Sequence, residues 1–246
     1  MPPAPPAPLR HAHAHNDYLH PRPLLDALDR GFASVEADIH LVGGELLVAH
    51  DRADAKPGRT LQSLYLDPLR DRAKANGGRV VAGDRPFFLL VDVKSAATPT
   101  YAALDAVLAG YAGLLSVTRA GTFTPGAVTA VVSGSRDRAA LAKQEVRYAG
   151  EDGRPEDLGS DTPADLMPWV SGNWLLLFGW RGDGPLPAAQ RDKLRAMAGQ
   201  AHARGRLLRF WATPEREAVW AELLAAGVDL IGTDELDKLK GFLTRP

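Results

Sequence analysis

The chain of 246 residues is 45% hydrophobic and 24% charged, with a formal net charge of -1 at pH 7 and no cysteine. That balance excludes the basic footprint of a nucleic-acid binder, disulfide cross-links and thiolate chemistry. The longest apolar runs, "FFLLV" and "NWLLLF", fall far short of the roughly 20 residues that span a bilayer.

The opening "MPPAPPAPLR" is rich in Pro and Ala and has no long apolar core, so residues 1–10 are expected to be a tail ahead of one domain over 11–246. Such a stretch suits a cytosolic tail or the linker that remains after an export signal is replaced. The expectation is a secreted or cell-envelope protein, with a cytoplasmic one as the alternative. From there on, short β-like runs alternate with amphipathic helical stretches. Strands are expected at 11–15, 33–39, 46–50, 87–93, 127–133, 146–149, 167–171, 206–211 and 229–232. Helices are expected at 23–30, 99–110, 135–143, 187–204, 214–226 and 235–243. Pro23 opens the first helix and Gly31 follows it, while Thr213-Pro214 and Gly227 bracket another. A single domain of this size with this alternation fits a (β/α)8 barrel. An open doubly wound sheet is the alternative, but no glycine-rich phosphate loop follows an early strand.

The first strand carries "HAHAHNDYLHPRP", which holds four of the seven histidines. On an extended chain His11, His13 and His15 share one face. A zinc site of several imidazoles cannot be completed from them, because His202, in an expected helix, is the only histidine after His50. His11 and His13 are expected to fill or line the bottom of the barrel, and His20 and His40 to lie in loops.

The second strand, "FASVEADIHL", places Ser34, Glu36 and Asp38 on one face and Ala33, Val35, Ala37 and Ile39 on the other. The apolar face suits covering helices, so the carboxylates point into the barrel. Unpaired there they would cost several kcal/mol, so they require a cation or donors. Two strand steps separate their Cα atoms by roughly 6.6 Å, and a long Glu and a short Asp can meet on one hard cation. "ELLVAHD" ends a third strand with His50. "FFLLVDVKS" repeats the pattern: Asp92 is a third oxygen ligand and Lys94 suits a phosphate oxygen, the alternative being a structural Asp–Lys pair. Charged groups at strand C-termini are where a barrel keeps its active site. His15 and His50 as acid and base, with a cation and Lys94 taking up charge, match phosphodiester cleavage.

Later strand ends offer Ser133, Ser171, Asn173, Arg209 and Asp234 as further substrate contacts. "NWLLLFGW" at 173–180 fits either a core segment or contact with a lipid-like substrate or membrane surface.

The ordered set "HND", "EAD", "AHD", "VDVK", "RFWATP" and "GVDLIGTDE" resembles the phosphatidylinositol phospholipase C-like phosphodiesterase superfamily, from His15 to Asp234. Glycerophosphodiester phosphodiesterases and sphingomyelinase D-type enzymes share that barrel, and the "HNDY" and "SVEAD" wording is similar to fungal altered-inheritance-of-mitochondria proteins. The resemblance implies His15 and His50 as the acid–base pair and Glu36, Asp38 and Asp92 as ligands of one Mg2+ or Ca2+. It places Lys94 on the phosphate and Trp211 near the substrate, the alternative for Trp211 being a core position; Asn16 and Asn173 are also expected to contact substrate. Glycerophosphodiesterases usually read His-Arg-Gly where this chain has His15-Asn16-Asp17, and Glu where Asp92 stands. The implied function is metal-dependent hydrolysis of a glycerophosphodiester or phospholipid-like substrate by a monomer. The alternatives are an inactive barrel that binds a phosphorylated ligand and a sphingomyelinase D-like enzyme that forms a cyclic phosphate.

Overall fold

Alternating apolar and polar strand residues close into a barrel, because each strand has an aliphatic face for helices and an inner face for the axis. The structure, a computed structural model, describes residues 6–83 and 85–245. Eight barrel strands follow in order: β1 (Leu9–Ala14), β2 (Phe32–Val42), β3 (Phe87–Val93), β4 (Val128–Gly134), β5 (Ala149–Gly153), β6 (Trp169–Asn173), β7 (Leu207–Trp211) and β8 (Leu230–Thr233). Each pairs in parallel with its neighbours in the chain, and β1 pairs with both β2 and β8, which closes the ring. The chain is therefore a (β/α)8 barrel.

Among the described residues the helices are α1 (Leu25–Asp29), α2 (Asp67–Ala75), α3 (Ala97–Ala109), α4 (Arg138–Lys143), α5 (Trp174–Leu177), α6 (Ala188–Ala203), α7 (Glu217–Ala225) and α8 (Leu236–Leu243). Among the described residues no helix is long and apolar enough to cross a membrane.

Val35, Ala37 and Ile39 of β2 and Leu89, Val91 and Val93 of β3 join the large outer core beneath the helices. Inside the barrel a separate, smaller cluster of Leu90, Val131, Trp169 and Leu230 packs with Phe88 and Leu207. That inner cluster fills part of the axis with side chains, so the fold is a packed support rather than a pore.

Several expectations are corrected. β1 begins at Leu9, inside the stretch expected to be a tail, whose residues 1–5 lie outside the described residues. The strand expected at 46–50 is Glu45–Val48, an antiparallel flap on β2, so His50 sits just beyond it. The strand expected at 146–149 splits: Val146–Arg147 joins a small antiparallel sheet with Val117–Arg119 and Thr122–Thr124, and β5 takes over at Ala149. His40 is not in a loop but buried on β2, its Nε2 3.1 Å from the His50 carbonyl. Helix α2 was missed although Pro68 lies within it; a π-helical segment, Gln62–Leu66, runs directly into α2 ahead of that proline.

Candidate active site

The C-terminal ends of the strands surround a cavity of about 440 Å³. Its lining includes His15, Asn16, Glu36, His50, Asp92 and Lys94. Glu36 and Asp38 point inward from β2, two residues apart, and Asp92 does so from β3, as the register partner of Asp38. Oxygen atoms of these three carboxylates lie within 4.8 Å of one another. Gly134, at the end of β4 with φ of 67°, makes room for this: a Cβ there would overlap Asp92 Oδ1 and the Val93 backbone.

Asp38 uses its two oxygens differently. Oδ2 accepts from the Tyr18 hydroxyl at 2.7 Å and His50 Nδ1 at 3.0 Å, and lies 3.2 Å from Lys94 Nζ. Oδ1 is buried and has no partner among the described residues. Burial, and then the charge of Glu36, push the Asp38 carboxyl above its ordinary value. Lys94 also sits 2.5 Å from Asp92 Oδ2. Burial works against the Lys94 charge, but its hydrogen bond to Asp92 and the two carboxylate fields prevail and raise its pKa.

Glu36 Oε2 accepts from Arg209 Nη2 at 2.5 Å and lies 3.3 Å from His13 Nε2. Burial alone would raise the Glu36 pKa, yet the Arg209 guanidinium holds it well below the usual carboxylate range. Both contacts fall on Oε2, which leaves Oε1 for another partner. The acidic triad therefore fits a hard divalent cation: oxygen donors, an orphaned buried oxygen and carboxylates that repel one another. Lys94 and Arg209 offset two of the three negative charges, and a divalent cation would turn the remaining single negative charge into a single positive one.

His15 Nδ1 donates to Asp234 Oδ1 at 2.8 Å, which leaves Nε2 as the free ring nitrogen. Burial opposes protonation of His15, but the Asp234 hydrogen bond and the field of Glu36 lift its pKa above the ordinary histidine value. Asn16, in the left-handed region at φ of 49°, donates from Nδ2 to the same Asp234 oxygen at 3.2 Å. His50, with its side chain 58% exposed, stands at the mouth with Nδ1 on Asp38.

The nine residues expected at the site separate in the structure. His15, Asn16, Glu36, His50, Asp92, Lys94 and Trp211 line the cavity, and Asp38 lies directly beneath it. Asn173 does not line it: its Oδ1 accepts from the Leu175 and Leu176 amides and caps α5. His13 fills the barrel interior. It is fully buried beside Glu36, with Nδ1 2.7 Å from Ser34 Oγ and its edge against Trp169. Burial, and then the nearby Arg209 charge, lower its pKa to about 3, so it is neutral. His11 does line a cavity under the barrel, of about 210 Å³, and its Nδ1 lies 2.9 Å from the Asp229 carbonyl.

Sequence reasoning missed Tyr18, Asp152 and Arg154. Tyr18 stands inside the "HNDY" motif, so its position was visible but its contact with Asp38 was not. Burial, and then Asp38, push its hydroxyl pKa far up, so it stays a donor. Asp152 and Arg154 lie in "GEDGRP", which reads as a loop, and they line the far wall. There Arg154 Nη1 donates to Asp152 Oδ2 at 2.6 Å, and Nη2 to Ser133 Oγ at 3.1 Å.

A closed parallel barrel with this constellation at its C-terminal mouth defines a phospholipase C-like phosphodiesterase barrel. The sequence model of the AIM6-like phosphodiesterase domain matches residues 7–149, and the chain belongs to that family. The model of the glycerophosphoryl diester phosphodiesterase family matches residues 208–237, from β7 through β8. The altered inheritance of mitochondria protein 6 homolog of Arthroderma benhamiae is 27% identical, over 94% of this chain and 82% of its own length. The altered inheritance of mitochondria protein 6 of Eremothecium gossypii is 29% identical, over 95% and 69%. Among solved structures, a glycerophosphodiester phosphodiesterase from Parabacteroides distasonis has a TM-score of 0.56 at 17% identity, covering 97% of this chain and 98% of its own. One from Agrobacterium tumefaciens str. C58 has a TM-score of 0.56 at 14% identity, covering 96% and 100%. At such identities the likeness is one of fold.

Proposed function

We propose that this chain is a metal-dependent phosphoric diester hydrolase, acting on a glycerophosphodiester or phospholipid-like substrate by acid–base catalysis with two histidines. The observation that carries the reading is the orphaned Asp38 Oδ1 inside a triad of carboxylates, with two imidazoles and Lys94 around the same cavity. Glu36, Asp38 and Asp92 would hold one Mg2+ or Ca2+. When bound, that cation neutralises developing charge on a phosphoryl oxygen.

The remaining work falls to the chain's own residues. Lys94, on the strand that carries Asp92, meets a non-bridging phosphate oxygen and shares its charge. His15 has the raised pKa suited to an acid, and its Nε2 protonates the leaving oxygen. His50, held through Nδ1 by Asp38, is left as the base that takes the proton of the attacking oxygen. Asn16 steadies Asp234 and thereby His15, and the ring of Trp211 bounds the approach. Phosphorus NMR of a panel of phosphodiesters incubated with the Mg2+-loaded protein tests the reading. New phosphomonoester resonances are expected, and an unchanged panel contradicts it.

A further inference from the structure

Arg209 is a buried cation that the acid–base pair and the acidic triad do not account for. It points inward from β7, is 3% exposed, and lines both the main cavity and a smaller one of about 130 Å³ that it shares with His15, Trp211 and Asp234. Among the described residues only its Nη2 is engaged, on Glu36 Oε2. Its Nε–H is buried without a partner, and so is the hydroxyl of Ser171, its register neighbour on β6.

A guanidinium carries five donors in a planar fork, and buried donors left unpaired are costly. Neutralising Glu36 occupies one corner of that fork and needs only a point charge. Of the unused donors, those on Nη1 suit an oxygen of a tetrahedral oxyanion in the cavity. Lys94 reaches the cavity from β3, across the ring of eight strands from β7. A phosphate between them meets a cation on either wall.

We propose that Arg209 is a second phosphate-binding residue, holding a non-bridging oxygen from the wall opposite Lys94 while it stays paired with Glu36. The inference rests on the reading that this cavity takes a phosphodiester.

The test is calorimetric titration of inorganic phosphate into the Mg2+-loaded protein, comparing wild type with Arg209→Lys and recording the melting temperature of each. Lysine keeps the charge facing Glu36 and loses the fork. A near-normal melting temperature with phosphate affinity down tenfold or more is expected. Wild-type affinity in the folded variant overturns the proposal. Should Arg209→Lys not fold, crystals of the wild type grown with Mg2+ and inorganic phosphate decide. A phosphate oxygen within hydrogen-bonding distance of Arg209 supports the role, and a phosphate held without Arg209 overturns it. A wild-type protein that binds no phosphate at all is a different failure, because it contradicts the functional reading itself and removes the inference with it.

Discussion

Asp38 and Asp92 stand opposite each other on the parallel β2–β3 pair, both turned into the barrel, with Lys94 Nζ 3.2 Å from one and 2.5 Å from the other. Like charges placed opposite one another on a sheet destabilise it. Lys94, with Arg209 on Glu36, still leaves one of the three carboxylate charges unbalanced. Divalent metal should therefore bind at a single site and raise the melting temperature by binding the folded state alone. Calorimetric titration with Mg2+ and with Ca2+ checks this, and Asp92→Asn should weaken binding at least tenfold, on the scale seen for metal-site changes. Turnover that survives excess chelator would contradict the assignment.

His15 and His50 should give a bell-shaped pH–rate profile, and replacing either with Ala should cost roughly 100-fold or more in rate. Because Asp234 and Glu36 raise the His15 pKa, the acid stays protonated to a pH above the ordinary histidine value, which moves the alkaline limb upward. Asp234→Asn should bring that limb back down. An unmoved limb would mean that His15 is not the acid. His13→Ala should show itself differently. It leaves Ser34 without its buried partner, a loss of about 1–3 kcal/mol in stability.

The legible part of the site is the part on long strands with clean alternation. "SVEADI" and "LLVDVK" assign each side chain to a face by period alone, and the structure keeps those faces. The illegible part depends on contacts between distant segments. Nothing local in "HNDY" says that the Tyr18 hydroxyl reaches Asp38, or that Asp234 reaches His15 across 219 positions. β5 was missed for a related reason. "AGEDG" pairs glycines with acids, a turn-like composition, but in the barrel Glu151 is neutralised on the helix side by Arg138 and Asp152 on the cavity side by Arg154. Asn173 misled because a strand-end Asn serves a helix cap as readily as a ligand.

Lys94→Met keeps most of the side-chain volume and removes the charge. The rate should fall by about 10²–10³, the loss typical of one electrostatic stabiliser. The melting temperature should fall without metal, because Asp38 and Asp92 lose their shared counter-ion, and recover with Mg2+. Normal turnover with a lowered melting temperature would instead make Lys94 a structural partner only.

Asp17 gives a pH effect away from the chemistry. Its Oδ2 accepts from the Leu24 amide and from the Tyr65 hydroxyl, 2.9 Å away, and burial raises its pKa to about 7 from 3.8. A folded pKa above the unfolded one means stability that is fully present below pH 3.8 and lost as the pH rises through about 7. Asp17→Asn should remove that decline. Melting temperatures between pH 4 and pH 8 compare the two proteins, and parallel curves would show that Asp17 ionises normally.

The central claim is phosphodiester cleavage by His15 and His50 beside one divalent cation. Phosphorus NMR tests it most directly, on glycerophosphodiester and lysophospholipid substrates incubated with Mg2+-loaded wild type and with the folded His15→Ala, His50→Ala double variant. The account predicts loss of a diester resonance and growth of a phosphomonoester resonance with wild type, both absent with the double variant. Diesters untouched by the metal-loaded wild type, or cleaved equally by the double variant, would contradict it.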